Sequence, residues 1–361
     1  TDLGADRVDV HHVAGLHDAV GRAVAGQQQV VEVEADDELA AAPQLDVAVA
    51  ARRGGAAGGH ERAHQCGQAA HRVGAGAGDE AGDEEADAAQ LAELAPRVES
   101  LGYSTLWYPE AAHYETFGLG GYLLGKTTRL VVGSGIANIY GRDAAAAAMG
   151  HNTLNELYGG RYVLGLGVSH APIVTHIRGQ EYRKPLAAMR EYLDGMDAAW
   201  RATQSMPSVR QVVLAALGPK MSELAAQRTL GAFPYNVTPQ QARMSRQAMG
   251  PAGQIICEHK VCLTTDPALA RRVARETLGI YMTLPNYVEN WYRLGFTPAD
   301  IEGGGSDRLM DALVAWGDVA TIQAKLRAYF DQGADQVVIQ PLSVPGATGV
   351  DWKALEALRT T

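Results

Sequence analysis

From about residue 86 the chain alternates short apolar runs with stretches of helical period. Residues 86–101 carry Leu91, Leu94, Ala95 and Val98 on one helical face, and Gly102 is placed to end the helix. The run YSTLWY (103–108) then reads as a buried strand, closed by Pro109 and Glu110. A helix near 118–124, a strand at 129–136 and a helix at 143–157 follow, with Asp143 as N-cap of the last. Further strands are expected at 161–168, 211–217, 231–236, 309–316 and 337–340, with helices at 185–200, 220–228 and 319–332. Residues 238–310 are expected to be irregular and helical. Strand followed by helix, at a spacing of about 30 residues, argues for a parallel sheet. Seven strands are legible and the leading helix has none before it, which predicts an α/β fold of the (β/α)8 TIM-barrel kind with its first strand missing or replaced.

Residues 1–85 have a different texture. They contain no Ser, Asn, Ile, Lys, Met, Phe, Tyr or Trp, and hold six of the eleven histidines. Such a segment buries too little apolar area to offset its ordering entropy. The expectation is a low-complexity extension, not a native domain, resembling a GC-rich coding region read in the wrong frame or from a misplaced start. The barrel domain is placed at 86–361. Two runs in the extension, 30–35 and 45–51, have strand character and are candidates to fill the barrel's gap.

The net charge of −10 argues against a nucleic-acid partner or an anionic membrane surface. No apolar run reaches the length of a membrane span. Cys66, Cys257 and Cys262 have no paired spacing, so neither a disulfide framework nor a metal site is expected, and a reducing, cytoplasmic setting fits best.

The most informative stretch is RYVLGLGVSHAP (161–172). Its apolar, glycine-bounded run is that of a parallel strand covered on both faces, running out into a turn that offers Ser169 and His170. Ligands sit at the carboxyl ends of such strands. Gly167 lets backbone approach a ligand closely, and a neutral imidazole at His170 can accept or donate a proton. Gly218-Pro219-Lys220 opens a helix after a strand, which suits an anion, with Lys220 adding charge.

Eight segments in order resemble the luciferase-like monooxygenase family, in particular its actinobacterial branch that uses the deazaflavin coenzyme F420. They are LGYSTLWYPE (101–110), TTRLVVGSGIANIYGRD (127–143), LNELYGGRYVLGLGVSHAP (154–172), KPLAAMREYLDGMDAA (184–199), LAALGPKMSELAA (214–226), LPNYVENWYRLGF (284–296), GGGSDRLMDALVAWGD (303–318) and AYFDQGADQVVIQPL (328–342). The resemblance implies a flat ring lying across the carboxyl face of the barrel. It implies a non-proline cis peptide at Gly135-Ile136, with Ala137 and Asn138 beside the ring, and contacts from Gly167, Val168 and Ser169. His170 stands where sugar-phosphate dehydrogenases of the family carry a catalytic Glu. Glu110 resembles an acidic position next to a catalytic His, but Ala111 follows it here, which speaks against that sugar-phosphate activity. Gly218, Pro219 and Lys220 would meet the cofactor's phosphate.

The leading expectation is therefore an F420-dependent oxidoreductase acting on a small organic molecule, with His170 and Glu110 as catalytic candidates and a homodimer as the assembly. An FMN-dependent monooxygenase of the same fold is the alternative. A non-catalytic ligand-binding barrel, or an inactive product of a misread gene, is the alternative from another class.

Overall fold

A computed structural model describes residues 47–51, 70–73, 88–110, 114–344 and 349–359. The candidate strand at 30–35, Ala111 and His113 lie outside the described residues. The strands are β1 (Val47–Ala51), β2 (Ala70–Val73), β3 (Thr105–Tyr108), β4 (Val131–Ser134), β5 (Ala137–Asn138), β6 (Tyr162–Gly167), β7 (Val212–Leu214), β8 (Gly231–Ala232), β9 (Gln254–Cys262), β10 (Val314–Trp316) and β11 (Gln336–Pro341). The helices are α1 (Ala88–Ser100), α2 (Thr116–Gly125), α3 (Ala144–Leu157), α4 (Pro185–Ala202), α5 (Pro219–Arg228), α6 (Pro239–Met249), α7 (Pro267–Leu278), α8 (Pro285–Arg293), α9 (Pro298–Ile301), α10 (Asp307–Leu313), α11 (Val319–Asp331) and α12 (Trp352–Leu358).

Pairing is parallel along β3–β4–β6–β7–β8–β9–β11, and β10 pairs parallel with the end of β9, on the edge opposite β11. The remaining gap, between β11 and β3, is filled by β1. This strand runs antiparallel to both neighbours, with Val49 opposite Ile339 and Ala48 opposite Trp107. The run expected at 45–51 thus lies between β11 and β3 of a TIM-barrel-type α/β fold, in the reverse direction to a barrel strand. β2 pairs with β1 antiparallel and with β3 parallel.

The interior holds Trp107, Val163, Val213, Phe233, Ile256 and Val338, drawn from successive strands or their ends. Gly133 makes room for this layer, since a Cβ there would strike the Trp107 ring. Outside the strands, α1 buries the predicted face of Leu91, Leu94, Ala95 and Val98. It stops at Gly102, whose φ of +87° a side chain would disfavour. Asp143 caps α3 as expected, accepting from the Ala146 N–H at 2.8 Å.

Two assignments differ from the sequence reading. Residues 254–262 form a nine-residue strand inside the region expected to be irregular. Glu258, His259 and Lys260 interrupt its apolar run, yet all three are buried. Residues 309–316 split into helix and strand. Ser306 accepts from the Leu309 N–H at 3.1 Å and starts α10, whose buried Leu309, Met310 and Leu313 follow helical spacing; only Val314–Trp316 is extended. Tyr103, Leu130 and Phe233, all buried, fall just outside their strands. Among the described residues no helix is long and apolar enough to cross a membrane.

Candidate active site

The carboxyl ends of the parallel strands carry the predicted residues. Gly135 and Ile136, just past β4, are joined by a cis peptide bond. The turn is braced on both sides: the Gly135 N–H donates to the Tyr108 carbonyl at 2.7 Å, and the Ile136 carbonyl accepts from the Glu110 N–H at 3.2 Å. Ala137 and Asn138 then form β5 and pair with Leu166 and Gly167 of β6. Asn138 is buried, and its Oδ1 accepts from the Tyr140 N–H at 2.9 Å.

Glycines on β6 let these turns close on one another. A Cβ at Gly165 would collide with the Ser134 carbonyl, and the Ser134 hydroxyl bonds to the Gly165 backbone from the other side. A Cβ at Gly167 would fall on the side chain of Ile136. Ser169 follows with a φ of +56°, a conformation that costs a residue other than glycine about 1–2 kcal/mol. Its carbonyl accepts from the Tyr182 hydroxyl at 3.3 Å.

His170 is half-buried, with its ring 5.8 Å from that of Tyr287 on α8. Burial lowers its pKa below the ordinary imidazole value, against a weaker opposing hydrogen bond to Asn286. The side chain is therefore neutral near pH 7 and can take up a proton.

Glu110 is placed at the same face, but its carboxylate is fully engaged. It accepts from the Thr116 N–H at 3.2 Å, the Asn138 N–H at 2.9 Å and both terminal nitrogens of Arg142. Its side chain is 7% exposed, and Arg142 also reaches Glu115. Burial disfavours the Arg142 charge, yet the Glu110 carboxylate holds its pKa above the ordinary value. Arg142 is thus turned toward Glu110.

Gly218 is the N-cap of α5 and no side chain caps that terminus, with Pro219 in the first turn. Lys220 beside it is exposed. Among the described residues, no atom outside the adjoining chain lies within 4 Å of a Cβ built at Gly218.

The far side of the site was not legible in the sequence. Glu258 and Lys260 lie two apart on β9, so both face the same way, and they form an ion pair at 3.1 Å with neither side chain exposed. Lys260 also donates to Asn236 Oδ1, and Glu258 accepts from the Asn236 N–H at 3.1 Å. Asn236 is held at a φ of +54°, with its carbonyl accepting from Trp291 Nε1 at 2.9 Å. Above this pair stand Tyr235, Tyr281 and Tyr287, with ring centroids 5.0–6.2 Å apart. The Tyr235 hydroxyl donates to Gln340 Oε1 at 3.3 Å. The E-x-K spacing was the one available signal, and it is weak.

The chain is similar to known proteins in sequence and in fold. The sequence model of the luciferase-like monooxygenases matches residues 68–336. A candidate coenzyme F420-dependent oxidoreductase of Mycobacterium tuberculosis is 26% identical over 310 residues, spanning 69% of this chain and 89% of the relative. The solved coenzyme F420-dependent tetrahydromethanopterin reductase of Methanopyrus kandleri superposes with a TM-score of 0.61 at 17% identity, covering 75% of this chain and 94% of that one. The oxygenating constituent of 3,6-diketocamphane monooxygenase of Pseudomonas putida, solved with FMN, gives 0.56 at 14% identity, covering 75% and 92%.

Proposed function

We propose that this chain, an oxidoreductase that belongs to the luciferase-like monooxygenase family, uses the deazaflavin F420 to exchange a hydride with a small organic substrate. The observation that carries the cofactor assignment is the uncapped N-terminus of α5 at Gly218, after the strand next to the one that ends at Gly167. An anion is stabilised there by free N–H groups and the helix dipole, with Lys220 adjacent. F420 carries a phosphodiester and an acidic tail. The M. tuberculosis relative, named for F420, supports the choice.

The residues present fit a flat ring. Gly167 yields its Cβ space to Ile136, which the turn at 135–136 sets over it, and Asn138 stands beside them. The bound deazaflavin would supply the hydride donor or acceptor. His170 is the side chain suited to move the accompanying proton, being neutral, half-buried and at the same strand end. Glu110, with both oxygens already occupied, serves to hold the 137–142 segment in place.

FMN is the alternative cofactor, since the same helix terminus would accept its terminal phosphate. The reading is tested by mixing the purified protein anaerobically with F420 and a panel of secondary alcohols, or with reduced F420 and ketones, and following deazaflavin absorbance. Turnover supports it. Oxygen consumption that requires reduced FMN, with F420 spectroscopically inert, would reverse the assignment.

A further inference from the structure

A cleft of about 470 Å³ lies at the opposite end of the parallel strands from the candidate active site, where Gly160 and Gln211 lead into β6 and β7. One side is α3, whose His151, Asn152, Asn155 and Glu156 recur at helical spacing and share a face. The other is the segment between α4 and β7, which brings Met206, Pro207 and Val209. Asn152 ties the two sides together, its Nδ2 donating to the Ser205 carbonyl at 2.8 Å. Asn152 Oδ1 is then left to accept from His151 Nδ1 at 3.2 Å, so His151 carries its proton on Nδ1 and a lone pair on Nε2. The ring is fully buried and inclined to that of Trp200 at 5.4 Å. Burial lowers the His151 pKa, against a weaker opposing hydrogen bond to Asn152, which keeps the imidazole neutral near pH 7. Nε2 is buried and has no hydrogen-bond partner among the described residues. A buried acceptor without a donor is unfavourable, so a donor brought to it is stabilising. At the mouth, Glu156 is exposed, is the one charged side chain lining the cleft, and has no ion pair among the described residues. Arg210, next to Val209, is already engaged by Asp197 at 3.0 Å.

We propose that this cleft is a second small-molecule site, and that its ligand is an amine with an apolar body and a neutral hydroxyl at its far end. The ammonium pairs with Glu156 at the mouth, the body lies against Met206 and Val209, and the hydroxyl donates to His151 Nε2 at the floor. Residues five apart on a helix are separated by about 7.5 Å along its axis, which suits a para-substituted phenethylamine. A second charge at the floor would be buried without a countercharge, so the inner donor is neutral.

The test compares tyramine, which has both groups, with phenethylamine, which lacks the hydroxyl, and with 4-hydroxyphenylacetate, which has a carboxylate in place of the amine. Binding to the full-length protein is measured by ligand-observed NMR. Tyramine should bind about fivefold more tightly than phenethylamine, and 4-hydroxyphenylacetate should bind most weakly. Glu156→Gln, at an exposed position, should weaken tyramine about threefold. His151→Phe should abolish the preference for tyramine over phenethylamine. Saturating F420 should not displace tyramine, which separates this site from the carboxyl ends of the strands. Failure of His151→Phe to fold leaves the phenethylamine and Glu156→Gln comparisons decisive. Absence of tyramine binding, equal binding of tyramine and phenethylamine, an unaltered Glu156→Gln protein, or displacement by F420 overturns the proposal.

Discussion

The side chain of Ile136 occupies the space that a Cβ on Gly167 would need, so the turn after β4 and the end of β6 meet as one surface. Gly167→Ala should therefore push Ile136 out of its seat, and overpacking of this kind costs about 1–3 kcal/mol. F420 affinity should fall about tenfold or more. Combining it with Ile136→Ala should restore much of the loss, because the two substitutions act on one contact. Fluorescence titration of the single and double variants measures both effects; additive losses would separate the two residues.

His170→Ala should lower turnover about 10²-fold with F420 affinity near wild type. Burial lowers the His170 pKa, so the neutral form persists below the ordinary imidazole value of about 6.5. If His170 accepts the proton, kcat should hold through pH 6.5 and decline only in more acidic solution, and the alanine variant should lose that acid limb. Glu110→Gln should behave differently, weakening F420 binding by loosening Asn138 and Arg142. Abolished turnover in Glu110→Gln with intact affinity would move the proton role to Glu110.

Removing one member of the buried Glu258–Lys260 pair leaves the other charge uncompensated. Lys260→Met should cost about 3–5 kcal/mol in urea unfolding, whereas Lys260→Met with Glu258→Leu should cost much less. A single variant as stable as wild type would show that the pair contributes nothing to the barrel interior.

His259 is buried on β9, with Nδ1 2.7 Å from the Tyr329 hydroxyl. Burial, and then the Lys260 charge, lower its pKa to about 3. The unfolded chain protonates this histidine near pH 6.5 and the folded chain does not, so its contribution is intact above pH 6.5 and is lost as pH falls toward 3. Each pH unit in that window should cost about 1.4 kcal/mol. His259→Asn should flatten the acid decline of unfolding free energy; an unchanged slope would exclude His259 as its source.

Much of the site was legible because it is built from local backbone. The run at 161–172 and the turn at 218–220 stand out over a few residues, whereas the Gly135-Ile136 step was expected only from the family resemblance. Strand β9 was hidden because Glu258, His259 and Lys260 satisfy one another or their neighbours inside the barrel, which a one-dimensional polarity pattern cannot register. The same holds for the tyrosine wall, since Tyr235, Tyr281 and Tyr287 are brought together by tertiary packing. The Val47–Ala51 strand was visible as a β-prone run, but its antiparallel sense depends on which edge was left open, between β11 and β3.

The central claim is that the turn at Gly135–Asn138, the end of β6 and the uncapped terminus of α5 together hold F420. It is tested most directly by titrating the full-length protein into F420 and, separately, into FMN, following the fluorescence of each, with Gly218→Asp as control. Saturable quenching of F420, little response of FMN, and a weakened F420 response in Gly218→Asp, whose carboxylate would repel the acidic tail, is the predicted result. Tight FMN binding with no F420 response, or F420 binding indifferent to Gly218→Asp, would contradict it.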